Sequence, residues 1–137
     1  MTAAQSDEVL LIKPGSDAAL ALAVMHVIIT ERIYDPAFVE AHTVGFEKLS
    51  THILPYNPGW GAEETGLEAN HIISLARAYA STRPAMILLG GSSMHKGVNG
   101  WHAARAISCL PALTGDFGLP EAGLAHAMAH RAQSCGT

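Results

Sequence analysis

Two short segments combine residue types that could hold a ligand. The first is Lys13-Pro14-Gly15-Ser16-Asp17, just ahead of a long apolar run. Glycine lets a ligand approach the backbone, and the N-terminus of a following helix attracts negative charge. A carboxylate at Asp17 can also accept hydrogen bonds from an amidine- or guanidine-like N–H edge. The same five residues equally make a tight turn, with Ser16 or Asp17 as helix cap. The second segment, residues 90–100, reads Gly-Gly-Ser-Ser-Met-His-Lys-Gly-Val-Asn-Gly. It brings glycines, hydroxyls, His95 and Lys96 together after a strand-like run, where open α/β sheets gather ligands. Its order of glycine, lysine and hydroxyl is not that of a phosphate loop, and its glycine spacing is not that of a dinucleotide fingerprint. From pattern alone, a binding loop and a plain connection both stand.

The other reactive residue types form no recognisable set. Eight histidines are scattered along the chain. His126 and His130 are four apart but have no acidic residue between them, so they do not make a helical zinc site. Cys109 and Cys135 lie 26 residues apart, a spacing of neither zinc nor iron–sulfur sites. Cys109 is expected to be a buried helix residue. No metal ligand is assigned. A net charge of −4 lacks the basic stripe that phosphate backbones require, which argues against nucleic acid as a partner. The N-terminal residues show no secretory pattern. The longest apolar stretch, residues 18–29, is too short to cross a bilayer, so no membrane span is expected and the chain reads as soluble.

The elements that must position these segments follow from periodicity. With 49% hydrophobic and 15% charged residues, the chain has a core-forming composition. Residues 9–12 read as a short buried strand, and residues 18–33 as a helix apolar almost all round. Asp35-Pro36 starts a short helix to about residue 42. Gly45 breaks the chain before another short helix at 46–54, and residues 55–61 read as a loop. Residues 69–80 place Ile72, Leu75, Ala76 and Tyr79 on one helical face. Arg83-Pro84 ends that helix. Residues 85–89 read as a buried strand, and 101–113 as a last helix. Beyond Thr114 the glycines predict irregular structure. The order predicts an α/β fold, a partial layered domain with few parallel strands and several helices. Two strands do not make a full sheet.

The segments also resemble, in order, a string of blocks from the dimethyl sulfoxide reductase family of molybdopterin-dependent oxidoreductases. That family includes formate dehydrogenases and thiosulfate or polysulfide reductases. Residues 11–23, LIKPGSDAALALA, are similar to its PGTDAALALA stretch. Residues 33–39 (IYDPAFV) and 42–46 (HTVGF) are similar to its LYD..FV and HTVGFE blocks. Residues 64–66 (ETG), 72–80 (IISLARAYA), 90–100 and 105–115 (RAISCLPALTG) follow. The resemblance covers about residues 9–124. It divides the chain into a partial molybdopterin oxidoreductase domain, 1–124, and a divergent, irregular tail, 125–137.

The resemblance implies a part of one central α/β domain of an enzyme that performs two-electron redox chemistry at molybdenum or tungsten. There the metal is held by dithiolene sulfurs of molybdopterin guanine dinucleotide. Gly15, Ser16 and Asp17 would then bind the guanine nucleotide end of one cofactor. Gly91, Ser92, Ser93, Met94 and His95 would line the pterin. His95 would either donate a hydrogen bond to a metal-bound oxygen or substrate, or touch only the pterin. Nothing in the chain resembles the family's iron–sulfur cysteine cluster, its metal-ligating segment or its late cofactor-clamping domain. Where the family carries a run of glycines, this chain has Glu121, Ala122 and Gly123. The resemblance therefore implies a segment that is inactive alone and needs the remaining domains or a complementary subunit. A non-catalytic binding module and a truncated relic are the alternatives.

Overall fold

The computed structural model of the protein describes residues 5–90, 100–118, 120 and 122–126. Its centre is helix α1, Asp17–Thr30. The chain enters it through a turn at Gly15, which takes a φ of 84°. Ser16 sits at the cap position, but its hydroxyl donates back to Lys13 O at 2.7 Å and not forward to the helix, so no side chain caps α1. Asp17 instead supplies negative charge in the first turn, where the helix dipole favours it. Ala19, Ala21, Ala23, Val24, Met25, Val27 and Ile28 are all buried. These positions cover about two thirds of the way round the axis, and the remaining arc, Ala18, Leu22, His26 and Ile29, is partly buried. His26 interrupts the run, and its Nδ1 meets Ile53 O at 3.1 Å.

The helix ends at Thr30, three residues before the expected Ile33. Arg32 adopts a φ of 56°, and the Arg32 and Ile33 N–H groups donate back to Ile29 O and Ile28 O. That is the reversing pattern glycine ordinarily provides. With arginine in the glycine position, the sequence gives no sign of it.

Short helices α2 (Pro36–His42) and α3 (Phe46–His52) follow as anticipated. Asp35 caps α2, accepting from Phe38 N at 2.9 Å. Residues expected to be a loop contain helix α4, Pro58–Thr65, capped by Asn57 through Trp60 N. Its two glycines obscure it in the sequence. One of them, Gly61, has a packing reason: a Cβ there would lie 2.6 Å from the Ala23 side chain. Glycine is what lets α4 cross α1 so closely. Helix α5, Ala69–Ser81, buries Ile72 and Ala76 against the same core.

Strand β1 (Met86–Leu89), helix α6 (Gly100–Thr114) and strand β2 (Gly123–His126) form a β-α-β unit. β1 and β2 pair in parallel, Met86 opposite Gly123 and Leu89 opposite His126. The result is an α/β fragment, with the few parallel strands and several helices expected. Three further expectations fail. Residues 9–12 form no strand among the described residues. Instead the Lys13 N–H donates to Thr65 O at 2.9 Å and its Nζ to Glu63 O, so this segment is tied to the end of α4 and not to a sheet. β1 is not buried throughout, because Met86 and Leu88 are 55% and 66% exposed. The region beyond Thr114, expected to be irregular, contains β2. β2 runs past residue 124; residues 127–137 lie outside the described chain.

A polar knot joins these parts. Asp116 is fully buried. It accepts from the Thr114 hydroxyl and from Ala85 N at 3.3 Å, and Arg83 Nε lies 3.7 Å away. Arg83 also pairs with Asp35 at 3.2 Å, and Asp35 N donates to Leu113 O. One side chain thus holds the entry to β1, the exit of α6 and the start of α2. The Phe38 amide, followed by Arg83, holds the Asp35 carboxyl below its usual pKa.

Two measurements follow from the knot. Asp116→Ala orphans a buried N–H and hydroxyl and should cost roughly 3 kcal/mol in urea unfolding, with Asp116→Asn costing clearly less. A loss below about 0.5 kcal/mol, the range of surface changes, would remove the knot from the fold's support. A depressed carboxylate pKa stabilises the fold at pH values above the unfolded-state value, and that stability is lost as pH falls through the native value. The acid limb of thermal stability should therefore begin below about pH 4 and flatten in Asp35→Asn, which keeps the cap but loses the charge.

Candidate functional site

Of the two segments singled out by residue type, the turn before α1 is described. Gly15 is exposed, and no atom lies within 4 Å of where its Cβ would sit. Its backbone is open to a ligand. Ser16 is buried with its O–H committed to Lys13 O, so toward a ligand it can only accept. Asp17 is half-buried and, among the described residues, its carboxylate has no hydrogen-bond or ion-pair partner. It lines a cleft of about 250 Å³ with Ile12, Leu20, Leu75, Tyr79 and Ile87.

That cleft brings the turn beside the middle of β1. Gly90 follows β1 directly, so the second segment starts at the carboxyl end of a strand, as expected. The first does not, since among the described residues no strand precedes it. Gly91, Ser92, Ser93, Met94 and His95 lie outside the described residues. Glu121 does too.

Sequence reasoning did not single out Tyr79 for chemistry, seeing only a helix face. Its hydroxyl is buried and unpartnered among the described residues. Burial, followed by the nearby Asp116 carboxylate, pushes its pKa up, opposed by Thr114 and Arg83. No periodicity argument could have shown that the ring tip ends buried near Thr114, Asp116 and Arg83.

The remaining candidates do not converge. Cys109 is half-buried, and burial raises its thiol pKa, so it is a weak nucleophile. Among the described residues, no three metal-ligating side chains come together. No helix among them is long and apolar enough to cross a membrane.

No protein-family model matches the chain. Whole-sequence comparison is more informative. The probable oxidoreductase YoaE of Bacillus subtilis strain 168 is 42% identical over 106 residues, covering 77% of this chain and 15% of that protein. Formate dehydrogenase H of Escherichia coli K12 is 38% identical over 125 residues, covering 90% of this chain and 17% of its own length. Dimethyl sulfoxide reductase DmsA of the same organism and the molybdopterin-containing thiosulfate reductase subunit PhsA of Salmonella typhimurium are similar at 39% and 38%. Among solved structures, acetylene hydratase from Pelobacter acetylenicus superposes with a TM-score of 0.79 at 38% identity, over 85% of this chain and 16% of that one. The chain belongs to the dimethyl sulfoxide reductase family of molybdopterin oxidoreductases. It is a segment of such an enzyme, spanning about one sixth of the relatives it matches.

Tyr79 gives this site its test. Tyr79→Phe removes a buried hydroxyl that lacks a partner, so stability should be unchanged or rise by about 1 kcal/mol. A loss above about 1 kcal/mol would mean that the hydroxyl is bonded in solution.

Proposed function

We propose that this segment forms one wall of the site for a molybdopterin guanine dinucleotide cofactor and acts only together with the rest of the enzyme. The observation that carries the reading is the Asp17 carboxylate, without a hydrogen-bond partner among the described residues, beside the open Gly15 backbone at the start of a fourteen-residue helix. The donor set suits a guanine nucleotide. Asp17 can accept two N–H groups from the guanine edge. Gly15 leaves room for the ring to approach the main chain, and the first-turn amides of α1 favour phosphate charge. Ser16, with its own proton committed, serves as an acceptor.

Gly91, Ser92, Ser93, Met94 and His95 would line the pterin. His95 would donate a hydrogen bond near the reacting centre, since an imidazole titrates close to neutrality and can hold or release a proton there. The bound cofactor would supply two-electron redox chemistry at molybdenum or tungsten, while the protein binds and orients it. A ligand of this length needs enclosure on several sides, and one turn with one cleft encloses only its nucleotide end. The remaining walls belong to other domains or a complementary subunit of the enzyme.

Two experiments test this. The 137-residue chain, purified from a host that makes the cofactor, should carry no stoichiometric molybdenum or tungsten and show no viologen-coupled reduction of oxo-acids. Near one metal per chain with turnover would overturn the dependence on other domains. In a hybrid carrying this segment in place of the matched residues of formate dehydrogenase H, Asp17→Asn should weaken cofactor retention by about 2 kcal/mol, near thirtyfold. The readout is metal content together with guanine nucleotide released by acid. Unchanged retention would remove Asp17 from the site.

A further inference from the structure

A second cleft lies between α3 and α6, away from Asp17. Helix α6 walls both clefts. Its Ile107 and Leu110 line the one at Asp17, whereas Arg105, Cys109, Ala112 and Leu113 line the other. At 100° per residue the two sets fall on different sides of the helix. Phe46, Leu49 and His52 of α3, with the turn at 43–45, complete the second cleft, and its volume is about 430 Å³. That is the size of a small-molecule site.

The lining divides by chemistry. Leu113 belongs to the core, and Phe46 and Leu49 pack against it, so the apolar wall is fixed by the fold. The Thr43 hydroxyl is committed to Val39 O at 2.6 Å. The Cys109 thiol donates to Arg105 O at 3.4 Å, and burial raises its pKa, so it stays neutral. The groups left for a polar ligand are the Arg105 guanidinium and the His52 imidazole. Arg77 and Arg83 hold Glu31 and Asp35, but among the described residues the Arg105 side chain has no ion pair. No acidic residue among those described lines this cleft, although the chain carries a net charge of −4. Glu40 and Glu47 line an adjoining one, which disfavours an anion there.

We propose that the groove between α3 and α6 binds a small organic carboxylate with an aliphatic or aromatic body. The carboxylate pairs with Arg105, whose planar fork suits two oxygens. The body lies against Phe46, Leu49 and Leu113. His52 adds a hydrogen bond through one ring nitrogen. Cys109 lines the same groove and reports on its occupancy. The site is separate from the cofactor wall proposed above and does not rest on that reading.

Octanoate is the probe. In the 137-residue chain carrying Cys135→Ser, Cys109 is the one thiol left. Octanoate should bind saturably by calorimetry and slow alkylation of Cys109 in step with occupancy. Octylamine, of equal length and opposite charge, should protect about fivefold less or worse. Arg105→Gln should raise the half-protecting octanoate concentration about fivefold, the strength of an exposed ion pair, and Arg105→Lys should recover most of that loss. Reading the half-protecting concentration removes the change that Arg105 itself makes in thiol reactivity. Arg105 is exposed, so both variants should keep the fold, which circular dichroism checks. The preference for octanoate should shrink at high salt. Absence of saturable binding, binding that leaves Cys109 alkylation unchanged, or equal protection by octylamine would overturn the proposal. So would an Arg105→Gln chain that binds octanoate as tightly. A Cys109 that the reagent does not reach in the ligand-free chain would refute it too, since the groove would then be closed.

Discussion

Helix α1 has almost no polar side to give to water, and that constraint organises the rest of the molecule. A helix that is apolar all round must be surrounded. Helices α4, α5 and α6 do this, each packing against α1. Closeness of approach decides which residues fit. Ala21 and Ala23 let neighbouring helices come near, and Gly61 removes the last Cβ from the α4 crossing. The few larger residues, Met25, Ile28, Ile53 and Ile72, fill what remains. An aromatic-poor sequence is what such close helix packing requires. Because α1 is fixed on its sides, its N-terminus is fixed too, and Asp17 is held at one place relative to β1 without a capping side chain.

The helical layer and the sheet are joined through charge as well as through apolar contact. Asp116 is an expensive residue to bury unless its acceptor capacity is used. The Thr114 hydroxyl, the Ala85 amide and the Arg83 guanidinium use it. Gly115, between Thr114 and Asp116, has a φ of 71°, and a Cβ there would sit 2.9 Å from Arg83 Nη2. The glycine therefore belongs to the knot: it lets the chain reverse at the end of α6 and leaves room for the arginine. By contrast the Glu31–Arg77 pair, although short at 2.7 Å, is exposed. It lowers the Glu31 pKa but joins two helices already packed through the core.

Local signals with a unique physical meaning were legible in the sequence. Asp35-Pro36 could only start a helix, and Ile72, Leu75, Ala76 and Tyr79 could only share a face. What was not legible depended on partners far away in the chain. The 9–12 run has the composition of a strand, yet Lys13 is bonded to the end of α4, a contact fifty residues distant. Helix α4 hid behind two glycines, one of which, Gly61, is justified by Ala23. β2 hid because its residues, Gly123-Leu124-Ala125-His126, are poor strand formers alone; they pair because Asp116 and Gly123 hold Ala85 in place. At the candidate site, Gly15 and Asp17 were visible by type. The committed proton of Ser16 and the unpartnered Tyr79 hydroxyl were not, since both depend on where a neighbour's atoms fall.

The two layers differ in how complete they are, and the difference bears on function. Among the described residues, α4, α5 and α6 pack on α1, and α4 and α5 also pack on one another. The sheet has two strands among the described residues, with Met86 and Leu88 exposed. A segment can therefore hold Asp17 and Gly15 in place by its own packing, since both belong to the helical layer. Gly90 follows a strand whose Met86 and Leu88 side chains are exposed. If Asp17 and Gly15 act as proposed, the ligand would meet there a surface that this segment builds by its own packing around α1.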